Sequence, residues 1–320
     1  MKKYILVFLL SFPFLFSANE FSFAQNTNEA QAISQAIFGN KNIDEAYGAF
    51  QRGQYLTALK LALPKAEKGN VAAQTLIGEI YANGLGVAKN PALASRWYIA
   101  ADEGGDINAT FALALLYQQG LGVPKNRQRA AELFKKAANA DHIKAKYNLG
   151  LLYVEGVYAK PNITKAAQLI KQAAEAGLKE AQYDYGIMLI EGAGFVPDLT
   201  MGAEQIKLAA NAGLIAAQVE YATLLYLGKG VKRDKKQSAT WYEIAANNGN
   251  PVAQNRLAKL YGSGEGVELN LKTAAFWREL ARNNGLNDID LDRLLVSISP
   301  NDLKKAQEKA RFWPQEVPNK

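Results

Sequence analysis

The chain has no cysteine and a single histidine, His142, in 320 residues. Without thiols there is no disulfide framework, no thiolate nucleophile and no Cys-type zinc site. One imidazole also cannot pair with a second for metal binding or acid–base work. Proline (10) and glycine (26) are too sparse for a fibrous or low-complexity protein. Long apolar runs are missing beyond the first 18 residues, so nothing later approaches the ~20 residues of a membrane-spanning helix. What is present suits a chain that buries a core: 49% hydrophobic and 21% charged residues exclude wholesale disorder. The formal charge of +7 favours anionic neighbours without naming one.

The opening combines Lys2 and Lys3, an apolar run ending at Ala18, and small residues at Ser22 and Ala24. This is the pattern of a secretory leader with A-x-A-like cleavage geometry, and it assigns residues 1–24 to a signal peptide cut before Gln25. A retained anchor is the lesser alternative, because the run is short and Pro13 interrupts it. The mature chain then has no membrane span. Residues 25–45 form a polar segment with at most a weak helix around Glu29–Phe38.

Comparing the chain with itself gives a period of 36 residues. The blocks are 71–106, 107–142, 143–178, 179–214, 215–250 and 251–286, with no insertion or deletion. The third residue of every block is Ala (Ala73 to Ala253), the fourteenth is Gly (Gly84 to Gly264) and the thirty-first is Ala (Ala101 to Ala281). Positions three, seven, ten and eleven, as in Ala73, Ile77, Ile80 and Tyr81, recur at helical spacing. Small residues at position eight admit a second helix at close range, and the Gly at fourteen ends the first. Position twenty (Asn90, Asn126, Asn162, Asp198, Asp234, Asn270) supplies N-caps for the second helix, which mostly stops at Gly105, Gly177, Gly213, Gly249 or Gly285. Residues 46–70 read as a further pair with its loop shortened to Gly53-Gln54. Residues 287–320 hold two closing helices (288–297 and 301–312), with Ser299 as N-cap and a tail that frays after Pro314. One such hairpin cannot bury its stripe alone, whereas stacked copies share a continuous core. The expected fold is all-α: a right-handed α-solenoid of about seven helix–turn–helix repeats over 46–286, with capping helices.

Two stretches, AAQTLIGEIYANGLGVAKNPALASRWYIAADEGG (72–105) and AAQVEYATLLYLGKGVKRDKKQSATWYEIAANNG (216–249), resemble the Sel-one-like repeat, a relative of the tetratricopeptide repeat. The resemblance implies a non-catalytic scaffold that gathers proteins into complexes. For exported bacterial members it implies envelope regulators, polysaccharide-assembly partners or host-directed factors. A cysteine-rich branch is linked to β-lactam binding or hydrolysis, and this cysteine-free chain departs from it. Tyr158 stands where the second loop glycine belongs, so the 156–161 loop is expected to differ from its siblings.

The buried stripe leaves positions two, five, nine, twelve and thirteen of the first helices on the opposite arc. In the outer blocks that arc is largely polar (Thr75, Glu79, Asn83; Asn255, Lys259, Ser263). In the four middle blocks it carries Phe111, Tyr147, Tyr183 and Val219 at position five, and Leu115, Leu151, Ile187 and Thr223 at nine. Position twelve adds Val154, Ile190 and Tyr226. Stacked first helices line the inner wall of such a superhelix, so this strip is either a second row of core or a groove for a partner peptide or helix, rimmed by Glu155 and Glu191. The functional expectation is a protein-binding adaptor of the bacterial envelope, periplasmic or secreted, with no cofactor, no metal and no catalytic residue. A secreted host-directed factor is the first alternative. A hydrolase of cell-wall or β-lactam-type substrates is the second; repeat spacing alone sets Glu155 and Glu191 ~10 Å apart, at the limit for paired carboxylates. Lys232-Arg233-Asp234-Lys235-Lys236 offers weak contact with an anionic envelope polymer, or is a solvated loop. His142 reads as a surface turn residue, and nucleic acid is not an expected partner.

Overall fold

The computed structural model describes residues 44–156 and 161–313. The expected leader, the Glu29–Phe38 segment, the tail from Pro314 and positions 157–160 of the loop expected to differ from its siblings lie outside them. The described residues form sixteen helices and no strand, in two compact units divided between Leu169 and Ile170. Unit 1 contains α1 (Glu45–Gln51), α2 (Tyr55–Ala66), α3 (Val71–Asn83), α4 (Pro91–Glu103), α5 (Ile107–Gln119), α6 (Arg127–Asn139), α7 (Ile143–Glu155) and the start of α8 (Ile163–Glu175). Unit 2 takes the rest of α8 and then α9 (Lys179–Glu191), α10 (Leu199–Asn211), α11 (Ile215–Leu227), α12 (Lys235–Asn247), α13 (Pro251–Ser263), α14 (Leu271–Asn283), α15 (Ile289–Leu295) and α16 (Pro300–Phe312).

Every helix from α3 to α14 has 13 residues, because the same signals start and stop each one. At the first-helix ends the Gly at position fourteen is left-handed (Gly84 at φ +71°) and donates to the carbonyl four residues back. The position-twenty side chains each accept from the backbone N–H three residues on. The same residue's own N–H turns back to the position-eleven carbonyl, from Asn90 to Tyr81 (2.8 Å) through Asn270 to Tyr261 (2.8 Å), which closes the hairpin loop. Position thirty-five is the left-handed Gly that links blocks, except that Asp141 occupies it in one block at φ +61°.

Three contacts set how closely the helices approach. Within the α9/α10 pair, a Cβ on Gly186 would stand 2.7 Å from the Gly202 carbonyl oxygen and one on Gly202 2.7 Å from that of Gly186, so neither tolerates a side chain. Between blocks, the second loop glycine presses on the second helix of the block before: a Cβ on Gly122 would lie 2.2 Å from the Pro91 carbonyl. The third contact was not legible as part of the apolar stripe. Gln74, Gln218 and Gln254 at position four are buried, and each Nε2 donates to a carbonyl of the preceding second helix (Ala66 at 3.1 Å, Ala210 at 3.3 Å, Ala246 at 3.2 Å). Asp44 caps α1 and pairs with Lys65 at 2.9 Å, and Ser299 caps α16 with Pro300 in its first turn.

Candidate functional site

Among the first helices α3 and α5 touch directly, and the expected strip has members in each unit. Its members fare differently. In unit 1, Phe111 is half-buried, 5.7 Å from the Phe134 ring and stacked on His142 at 4.5 Å between ring centres. Leu115 is half-buried against the same core, and Leu151 is half-buried too. Tyr147 and Val154 correct the expectation: they keep only 7% and 5% of their surface, and Val154 belongs to the core with Leu149, Leu152 and Tyr153. With so little surface left, neither is open to a partner. Glu155 is tied to Arg127 in an ion pair.

In unit 2, Tyr183, Ile187 and Ile190 lie half-buried on the core around Ile206 and Leu224, and Val219 on that around Leu257. Tyr226 is held in place. Its hydroxyl donates to Glu265 Oε2 at 2.6 Å, and Lys235 Nζ reaches the same oxygen at 2.7 Å. Arg233 Nε donates to the Tyr226 carbonyl at 3.0 Å and Asp234 caps α12, so most of the basic loop is engaged structurally; Lys232 and Lys236 remain exposed. An open cleft of about 820 Å³ lies beside α12, lined by Lys236, Thr240, Glu243, Tyr261 and Asn270. Among the described residues no three His, Cys, Asp or Glu side chains converge as a metal site.

The polar-to-apolar change at position nine has an internal cause. In two blocks position nine of the first helix bonds to position twenty-eight of its own second helix. Where twenty-eight is Tyr, nine is a polar partner: Tyr98 donates to Glu79 Oε2 at 3.0 Å, and Tyr242 shares a 2.8 Å bond with Thr223. Where it is Phe134 or Ile206, nine is Leu115 or Ile187. Part of the strip is therefore the complement of a buried row. Burial pushes the Glu79 carboxyl up, opposed by its bonds from Tyr98 and Asn83; burial, then the Glu79 charge, pushes the Tyr98 phenol well above its usual range. Tyr98→Phe is expected to cost about 1.5–3 kcal/mol in native-state hydrogen exchange at amides of α3 and α4, because a desolvated carboxylate loses its donor. Adding Glu79→Leu, which copies the middle blocks, should recover much of that loss. A double variant no more stable than Tyr98→Phe contradicts the pairing.

His142 is not the surface turn residue expected. It is half-buried and caps α7, its Nδ1 accepting from the Ala145 N–H at 3.1 Å. That acceptor exists only on the neutral ring. Burial first, then the Lys144 charge, hold its pKa below the ordinary value. The unfolded chain thus takes up the proton first as pH falls, and stability is lost from about pH 6.5 downward until the folded ring also titrates. Between about pH 7.5 and 5.5 the melting temperature should fall relative to that of His142→Asn, which keeps a cap that does not titrate. Parallel profiles for the two proteins contradict this role.

These helix pairs, repeating in register and presenting a half-buried apolar face, define an α-solenoid of repeats. The Sel1 repeat matches residues 71–106, 107–142, 143–178, 179–214, 215–250 and 251–286, and the chain belongs to the Sel1 repeat family. It is similar to a Sel1 repeat protein from Oxalobacter formigenes, with 32% identity over 76% of this chain and 100% of that one and a TM-score of 0.66. The fold also resembles c5321, a protective antigen present in uropathogenic Escherichia coli strains. That match has 24% identity over 83% of this chain and 68% of the other, with a TM-score of 0.51. No curated protein matches the chain. Sel1 repeat proteins generally mediate protein–protein interactions, on a scaffold that is typically non-catalytic. Among the described residues, no helix is long and apolar enough to cross a membrane.

Proposed function

We propose that this chain is an exported, non-catalytic adaptor that holds a protein partner along the face of its first helices. The observation carrying this reading is the set of apolar side chains left half-exposed there: Phe111 and Leu115 in unit 1, Tyr183, Ile187, Ile190 and Val219 in unit 2. A face serving water alone would be polar. The partner is a peptide or helix laid across neighbouring first helices, gaining affinity from apolar anchors. The bacterial periplasm or exterior is the compartment, on the strength of the leader pattern.

Photo-crosslinking tests the site. A benzophenone amino acid at position 115 or 187 should capture a discrete protein in the source cell, while the same probe at Lys135 or Lys207, exposed on second helices, should not. Capture from both faces alike, or none from the first-helix face, overturns the reading.

A further inference from the structure

The carboxylates on the first helices of the six full blocks are mostly in use. Glu79 accepts from Tyr98 and Asn83, Glu155 pairs with Arg127, Glu180 lies 3.9 Å from Lys179, and Asp184 is buried and engaged. Glu191 and Glu220 differ: among the described residues neither has a hydrogen bond or an ion pair. They belong to the same stretch of wall. Glu191 ends α9, the helix that carries Tyr183 and Ile187, and Glu220 follows Val219 on α11. Their charges are felt by one another and by the Tyr183 phenol. Burial first, then the charges of Glu220, Asp184 and Glu191, push the Tyr183 pKa up. Burial also pushes the Glu220 carboxyl up and Glu191 adds to it, while Lys229 pulls it back without forming an ion pair. In a chain of net charge +7, this stretch brings Glu191, Glu220 and Asp184 to bear on one phenol, with the Lys229 charge felt at Glu220.

We propose that the occupant of this stretch is a basic–apolar peptide segment of a partner protein. Its Lys or Arg sits between Glu191 and Glu220, and its apolar neighbours lie on Tyr183, Ile187 and Val219. The inference rests on the wall reading above and names the partner's chemistry. A neutral or acidic segment would cover two carboxylates and leave them unpaired, which is costly in a desolvated setting. A basic side chain compensates both, and its aliphatic stem suits an apolar floor. The Tyr183 ring adds cation–π attraction. Charge complementarity of this kind sets partner choice as well as encounter rate.

Calorimetric titration of the mature chain tests this, using acetylated, amidated Leu-Lys-Leu-Leu-Lys-Leu, its counterpart with Glu for Lys, and free spermidine. The Lys peptide should bind, and Glu191→Gln/Glu220→Gln should raise its Kd at least about tenfold, the loss of one compensated charge pair. Glu191→Lys, at an exposed helix end, should abolish binding without touching the fold. The inference is overturned if the Lys peptide fails to bind, if it binds no better than the Glu peptide or spermidine, or if the Gln variant binds it unchanged. Cross-linking from position 187 separates the two ideas. Capture that persists undiminished in the Gln variant leaves the wall standing and removes the basic segment, whereas no capture in the wild type removes the wall itself.

Discussion

Replacing Gly230 by alanine is expected to destabilise unit 2 by about 3 kcal/mol, and the same change at Gly249 by about 1 kcal/mol. Both glycines are left-handed, at φ +72° and +81°, so both alanines suffer the same backbone penalty. Only Gly230 has a neighbour in the way. A Cβ there would lie 2.1 Å from the Leu199 carbonyl oxygen, whereas nothing stands within 4 Å of one on Gly249. The obstacle is backbone in the first turn of α10, not the tip of a flexible side chain, so relief requires the loop to lift off the preceding block. That separates repeats whose stability depends on stacking. Repeat arrays depart from two-state unfolding, so the readout is native-state hydrogen exchange at amides of α10, α11 and α12. Equal losses of protection in the two variants would mean that the loop is not a spacer between repeats.

This contact shows what a sequence period conveys and what it omits. The columns at three, fourteen, twenty and thirty-one disclosed helix number, register and ends, because propensity and capping are local and repeat with the period. The second loop glycine was visible as a column, but its reason lies in the block before, at Pro91 for Gly122 and Leu199 for Gly230. Likewise the apolar change at position nine looked like a recognition strip. Its partner stands 19 residues away across the hairpin, as with Glu79 and Tyr98, and only the fold pairs them. Tyr147 and Val154 were placed on the open arc by a wheel that ignores flanking helices, and their burial removes two anchors. His142 escaped recognition as a cap because imidazole seldom fills that role, although its siblings Asn70, Asp106 and Asn250 at position thirty-six do. The unpaired state of Glu191 and Glu220 had no signal in the sequence, since it depends on which cations fail to reach them.

Asp292→Ala should cost about 3 kcal/mol or more, and Arg278→Leu distinctly less, although the two residues share one interaction. Arg278 occupies position twenty-eight of the last block and keeps 1% of its surface. Its Nε and Nη2 donate to the two Asp292 oxygens at 2.7 and 3.0 Å, and Nη1 to the Leu286 carbonyl at 2.6 Å. Asp292 is one-third exposed and also accepts from Arg282 at 2.7 Å. Removing the carboxylate therefore strands a guanidinium in the core with one carbonyl for company. Removing the guanidinium leaves a solvated carboxylate that retains Arg282, and a leucine there resembles the Ile and Phe of other blocks. The bond from Arg278, opposed by burial, holds the Asp292 pKa below the usual carboxylate range. Its contribution is thus complete above about pH 4 and disappears as acid protonates the folded carboxylate, so the gap between wild type and Asp292→Ala should narrow in acid. Because this pair joins α14 to α15, the first amides to lose protection should be those of α13 to α16, with unit 1 unaffected. Equal costs for the two variants would mean that the guanidinium reaches water, and the last block would then be closed by apolar contact alone.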